Sequence, residues 1–162
     1  MEVSVRIRRM EERDVELVSA LCMRSFARSV ASTVSEEGLS SFSRVADGAA
    51  FLGRMKADTL MLVAEDDEAI RGVIELKEGR HLAMLFVDPD HQRKGVGRRL
   101  LSAALGHARV DTVTVRASLS SVPAYEKYGF ECTGEVGASA GLTYQPMALQ
   151  RDRWMLSAAS AD

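Results

Sequence analysis

The chain is short of the features that most quickly assign a small protein. It has two cysteines in 162 residues, Cys22 and Cys132, with no CxxC spacing or histidine partner, which argues against a zinc site or a redox dithiol and suggests two buried thiols. The three histidines show no metal-ligand spacing either, so no metal is expected. No charge of one sign dominates. Lys plus Arg number 21 against 23 Asp plus Glu, a net charge of −2, so there is no basic field for nucleic acid or an anionic membrane, and any anion site must be local. The longest apolar runs, Leu60 to Ala64 and Leu82 to Val87, are far too short to cross a bilayer. The opening MEVSVRIRRMEERD holds no apolar stretch of signal-peptide length. A cytoplasmic protein in a reducing compartment is the resulting expectation. Internal repeats and low-complexity segments are also missing.

What is present suits one packed domain. At this length about 68–70% of the unfolded surface can be buried, and 46% hydrophobic residues is an ordinary share for a globular core. We expect a single domain over residues 1–156 and a frayed tail from Ser157 to Asp162.

Val3, Val5 and Ile7 alternate with polar residues like a half-buried strand. Asp14 can cap a helix whose face is Val15, Val18, Leu21, Cys22 and Phe26. A second helical stretch runs from about Glu36 to Phe51, punctuated by Gly48. Leu60 to Glu65 and Ala69 to Leu76 read as a hairpin across an acidic turn. His81 to Val87 is apolar without alternation, the mark of a strand covered on both faces, and Asp88-Pro89 ends it. From Gly97 the apolar residues fall at helical spacing, so DPDHQRKGVG connects strand to helix. Thr112 to Arg116 is a β-branched strand. Ser120 or Ser121 can cap a short helix with Pro123 in its first turn and Gly129 past its end. Phe130 to Val136 and Leu142 to Leu149 close the fold as an antiparallel pair across a Gly137 to Gly141 loop.

The segment Gln92 to Arg99 puts four cations and two glycines at a helix start, where backbone N–H groups lack intrahelical partners and the dipole is positive. Cations there are unfavourable by roughly 0.3–1 kcal/mol each unless an anion neutralises them. Gly95 and Gly97 would let a phosphate approach the main chain. A solvated basic turn with a glycine bend is the alternative. A P-loop is disfavoured because Lys94 precedes Gly95 and Val96 follows. The dinucleotide fingerprint is disfavoured because Leu100 stands where its third glycine belongs.

These residues resemble the Gcn5-related N-acetyltransferase (GNAT) superfamily. LFVDPDHQRKGVGRRLL looks like its acetyl-CoA segment, AYEKYGF is similar to its second motif, and GVIEL and YQPMAL follow the same order. The resemblance implies an α/β fold of mixed α+β type: a strongly twisted mixed sheet of about six to seven strands, helices on both faces, and two central parallel strands splayed to admit acetyl-CoA. It further implies that the main chain of Leu85, Phe86 and Val87 binds the pantetheine arm. Gln92, Arg93, Lys94, Gly95, Val96, Gly97 and Arg98 would hold the pyrophosphate. Ser120 stands where the family often has Asn near the cofactor, and Ala124 where Phe is common, which suggests a roomier wall near the acyl end.

Acyl transfer to an amine needs a neutral nucleophile, stabilisation of an oxyanion and a proton for the departing thiolate. Tyr125 is the family-equivalent acid and would also contact the cofactor sulfur; a packing tyrosine is the alternative, and Tyr128 does not align with the motif. For the base, His81 begins the central strand and Glu75 sits on the preceding one, with a solvated strand end and a structural ion pair as their respective alternatives. His91 and His107 read as loop and helix-surface residues. The need for a base depends on the acceptor, since an α-amine near pKa 7.7–8.0 is roughly a quarter neutral at physiological pH and a lysine-type amine near 10.4 about 0.1%. Acidic pairs such as Glu36-Glu37 could attract a cationic acceptor or simply be solvated.

The resulting expectation is an acetyl-CoA-dependent N-acetyltransferase acting by direct attack in a ternary complex. Its acceptor would be an amine on a small molecule, protein or peptide, and it would need no nucleic acid, membrane or metal. A homodimer would match the sheet-edge or helix dimers common among relatives. The competing reading is a non-catalytic acyl-CoA-binding regulatory module.

Overall fold

The computed structural model describes residues 4–29, 34–92 and 94–154. Expectations at Val3, Arg93 and the 157–162 tail lie outside them. The elements in chain order are β1 (Arg6–Arg9), a 3-10 turn, α1 (Val15–Ser29), α2 (Glu36–Val45), α3 (Gly48–Met55), β2 (Thr59–Glu65), β3 (Ile70–Lys77), β4 (His81–Val87), a second 3-10 turn, α4 (Val96–Leu105), β5 (Thr112–Ser118), a third 3-10 turn, α5 (Val122–Tyr128), β6 (Glu131–Cys132), β7 (Gly137–Ser139) and β8 (Leu142–Gln150). The strands form one mixed sheet in the order β1-β2-β3-β4-β5-β8-β6, with β7 paired to β8. Among the described residues only β4 and β5 run parallel.

Side-chain alternation gives the sheet two faces and two cores. On one, Leu62, Ile74, Leu82, Val113, Val115 and Ala117 pack with Leu100, Leu101 and Leu105 of α4 and Tyr125 of α5. On the other, Met61, Val63, Val73 and Met84 pack with Val18, Leu21, Cys22 and Phe26 of α1, Phe42 of α2 and Phe51 of α3. β4 changes faces midway. Glu75 opposes Met84 and Leu76 opposes Leu82, so Ala83 is an extra residue, a bulge that swaps the side-chain parity. Leu82 therefore lies under α4, while Met84 and Phe86 turn toward α1 and α2.

Local expectations hold with several corrections. The break in the second helical stretch falls at Ala46-Asp47, and Asp47 opens α3 from an extended conformation (ψ 146°). Asp14 does not donate a simple cap to α1. Its carboxylate accepts from the Glu11 N–H (2.8 Å) and from the Arg8 guanidinium (2.8 and 2.9 Å). Cys22 is buried as expected, but Cys132 is exposed.

The closing pair also differs. β6 is two residues long, and the 137–141 segment is strand β7 plus a two-residue turn, Ala140 (φ 51°) and Gly141 (φ 79°); two left-handed residues match the twist of a tight hairpin. Pro146 explains the short β6. Its carbonyl accepts from the Thr133 N–H at 3.0 Å, so its nitrogen faces the same neighbour and has no proton to continue the ladder. The turn abuts α2 so closely that a Cβ on Gly38 or Gly141 would collide with the other's backbone. Ser41 Oγ donates to the Ala140 carbonyl at 2.8 Å, and Ser35 Oγ to that of Gly141 at 3.4 Å.

Candidate active site

The parallel strands β4 and β5 pair at two positions only, His81 with Thr114 and Leu82 with Val115. Both strands continue beyond that vertex, so a gap opens on the β5 side of β4. The Asp88 N–H donates to the Arg71 carbonyl at 2.8 Å. With Gly72 opposite Val87, antiparallel alternation turns the main-chain groups of Leu85 and Val87 into the gap and those of Phe86 toward β3. Of the three expected main-chain contacts, Phe86 is thus committed elsewhere. Its ring instead meets Phe42 edge-on at 5.5 Å. The Val87 carbonyl already accepts from Ser25 Oγ (3.2 Å) and Gln92 Nε2 (3.3 Å).

At the mouth of the gap, Gly95 caps α4 in the left-handed region (φ 84°), a conformation that costs other residues about 1–2 kcal/mol. The first turn of α4 has no acidic residue and no side-chain cap, so its free N–H groups suit an anion. The cations are arranged differently from a simple cluster. Lys94 is exposed, Arg98 lies 4.9 Å over the Trp154 ring, and the Arg99 guanidinium donates to the Val5 carbonyl. Val96 is buried under the sheet, and a Cβ on Gly97 would strike the Tyr128 hydroxyl. Ser120 is exposed in the turn between β5 and α5, with Ser118 Oγ at 3.5 Å.

Tyr125 stands on the α4 and α5 face of the sheet, 7% exposed, edge-on to Phe130 (5.2 Å) and Tyr128 (6.2 Å). Its hydroxyl has no hydrogen-bond partner among the described residues. Burial pushes its pKa well above the usual phenol value, with Tyr128 adding to the effect, so it is a proton donor at any physiological pH.

The proposed bases lie on the opposite face. His81 Nδ1 is 2.7 Å from Thr114 Oγ1 at the vertex. Burial, then Arg116, Arg80 and Lys77, hold its pKa below the ordinary histidine value and keep the imidazole neutral. Glu75 is 1% exposed and bound through both oxygens to Arg54 (2.8 and 3.2 Å). Burial raises its pKa against the pull of Arg54. Neighbouring Cys22 is pushed up to about 12 by burial and by Glu75, so it is not a nucleophile.

Sequence reading missed Arg54, Trp154, Arg116 and Tyr144. The alternation in Thr112 to Ser118 does place Thr114 and Arg116 on one face; no local pattern links Trp154 to Arg98 or Arg54 to Glu75.

Residues 30–151 match the family described as the acetyltransferase (GNAT) domain. YafP, an uncharacterized N-acetyltransferase of Escherichia coli, is 22% identical over 151 residues, 88% of this chain and 97% of its own. The peptidyl-lysine N-acetyltransferase YjaB of Salmonella typhimurium is 34% identical over 80 residues, 49% of this chain and 54% of its own. In fold, the chain is similar to a GCN5-related N-acetyltransferase from Rhodopseudomonas palustris (TM-score 0.80, 24% identity, 93% and 98% covered). It is also similar to the PaiA N-acetyltransferase of Thermoplasma acidophilum, solved with coenzyme A (TM-score 0.78, 24% identity, 91% and 99% covered). With the family model spanning most of its length and N-acetyltransferases among its relatives, the chain belongs to the GNAT family and is an acetyl-CoA-dependent N-acetyltransferase.

Proposed function

We propose that the protein acetylates a primary amine by direct attack, with Tyr125 as the acid for the leaving thiolate and His81 as the base. The observation that carries this reading is the division of the two groups between opposite faces of the sheet, on either side of a gap that begins one residue past Leu82. A thioester in that gap supplies the acetyl group. Leu85 and Val87 would align the pantetheine arm through main-chain groups turned into the gap, and the α4 turn from Gln92 to Arg98 would hold the pyrophosphate. The cradle fits such an anion: its glycine is already left-handed, and a Cβ there would meet open space.

The acceptor would approach from the α1 to α3 face. In the tautomer whose Nδ1–H donates to Thr114, His81 keeps Nε2 as a free acceptor for the ammonium proton, directly or through one water. Glu75 is the weaker candidate because Arg54 occupies both of its oxygens. Burial of the Tyr125 ring keeps water from competing with its hydroxyl. Peptidyl-lysine acetylation in the YjaB relative supports an amine acceptor. The test is turnover: release of free CoA from acetyl-CoA with a panel of amines. Tight acetyl-CoA binding without release for any amine would favour the non-catalytic module.

A further inference from the structure

Arg116 is the first β5 residue past the Leu82 and Val115 pair, so it stands at the vertex of the gap. Val115 and Ala117 belong to the core with Tyr125, which turns Arg116 to the other face, the one from which the acceptor approaches. It is exposed. Its guanidinium lies 4.8 Å above the ring of Tyr144, a diagonal neighbour on β8, since Tyr144 opposes Ser118. Tyr144 is in turn backed by Gly137, where a Cβ would come within 2.9 Å of the hydroxyl. Contact with the ring face holds the guanidinium in place and consumes none of its five N–H donors.

The surrounding charges sharpen this. Arg54 clasps Glu75, Arg80 pairs with Glu78 (2.8 Å) and Arg109 with Asp58 (2.6 Å). Arg116 has no ion pair or side-chain hydrogen bond among the described residues, and neither does Lys77, which opposes His81 on β3. An ammonium arriving at this vertex meets two cations and a carboxylate already taken. Such a field disfavours a polyamine or a lysine side chain. A substrate with its own carboxylate beside the amine cancels the field and offers the guanidinium a planar two-oxygen partner.

We propose that the acceptor is a small amine carrying a carboxylate a few bonds from its nitrogen, and that Arg116, held over the ring of Tyr144, anchors that carboxylate. The proposal rests on the acetyl-transfer reading above.

The test measures CoA release with free amino acids, the matching amino acid amides and spermidine, for the parent, Arg116→Gln and Arg116→Lys. Expected are a preference of the parent for acids over amides, a KM for acids raised about tenfold or more in Arg116→Gln, and partial recovery in Arg116→Lys, which restores charge without the fork. Equal turnover of acids and amides by the parent, or a preference for spermidine, overturns this inference and leaves acetyl transfer standing. No release with any amine, while calorimetry still shows acetyl-CoA binding, overturns both.

Discussion

A Cβ on residue 97 would collide with the hydroxyl of Tyr128, so the first turn of α4 packs against that ring with Gly97 in place of a larger residue. Gly97→Ala should therefore weaken acetyl-CoA binding and destabilise the fold by about 1–3 kcal/mol, the usual range for overpacking. Adding Tyr128→Phe removes the obstructing oxygen and keeps the ring. Urea unfolding and calorimetry of the double variant should recover most of both losses; a double variant as weak as Gly97→Ala would show that the glycine serves another purpose.

Tyr125→Phe should lower kcat with little effect on acetyl-CoA affinity, since only the hydroxyl is lost from a packed ring. General acids typically contribute 10²–10⁴-fold. Parental turnover, with chemistry shown to limit the rate, would remove Tyr125 from the mechanism.

His81 predicts the position of the acid limb of kcat/KM. Burial disfavours its imidazolium, as do Arg116, Arg80 and Lys77, so the limb should fall below the ordinary histidine value of about 6.5. Removing a nearby cation makes protonation easier, so Arg116→Gln should shift the limb upward, and His81→Ala should abolish it with partial rescue at high pH. A limb that stays in His81→Ala and disappears in Glu75→Gln would assign the role to Glu75.

Arg54 and Glu75 make a stability prediction of definite sign. Arg54→Ala leaves a carboxylate 1% exposed without its partner, at a cost of about 2–4 kcal/mol, reduced from the fully buried case because the Arg54 side chain keeps 25% of its surface in water. The folded-state pKa of Glu75 already lies above the ordinary value and should rise further without Arg54. Between the unfolded and folded values the native state binds more protons, so stability falls as pH rises through that window. The deficit should be larger at pH 8 than at pH 5 in urea unfolding; equal deficits would mean the carboxylate is not what the mutation exposes.

The readable parts of this molecule were those whose signal is local. Gly95 is left-handed and Gly129 ends α5 with φ 104°, as their sequence positions suggest. The run His81 to Val87 reads as doubly covered, yet only Leu82 and Met84 are buried, on opposite faces, with Ala83 exposed and Leu85 to Val87 half-buried, and the bulge at Ala83 that exchanges its faces depends on register with β3. The short β6 follows from the missing N–H of Pro146, fourteen or more positions downstream of Glu131 and Cys132. Pairs such as Arg54 with Glu75 and Arg98 with Trp154 join residues that no periodicity connects. For that reason the glycine turn proposed to hold the cofactor was visible in sequence, and the charge arrangement around Arg116 was not.

The contact between Gly38 and Gly141 brings the main chain of α2 against that of the β7 to β8 turn, with the Ser35 and Ser41 hydroxyls holding the turn's carbonyls. A contact of this kind has no dial at its two glycines: neither can be exchanged by degrees, since the smallest addition already collides. Selection acting on the proposed acceptor approach in this lineage would have to work through side chains on that face of the sheet, such as Arg116 and Tyr144, or change the length of the β7 to β8 turn in a single step. Laboratory efforts to redirect the enzyme face the same choice, and those side chains are where graded changes are available.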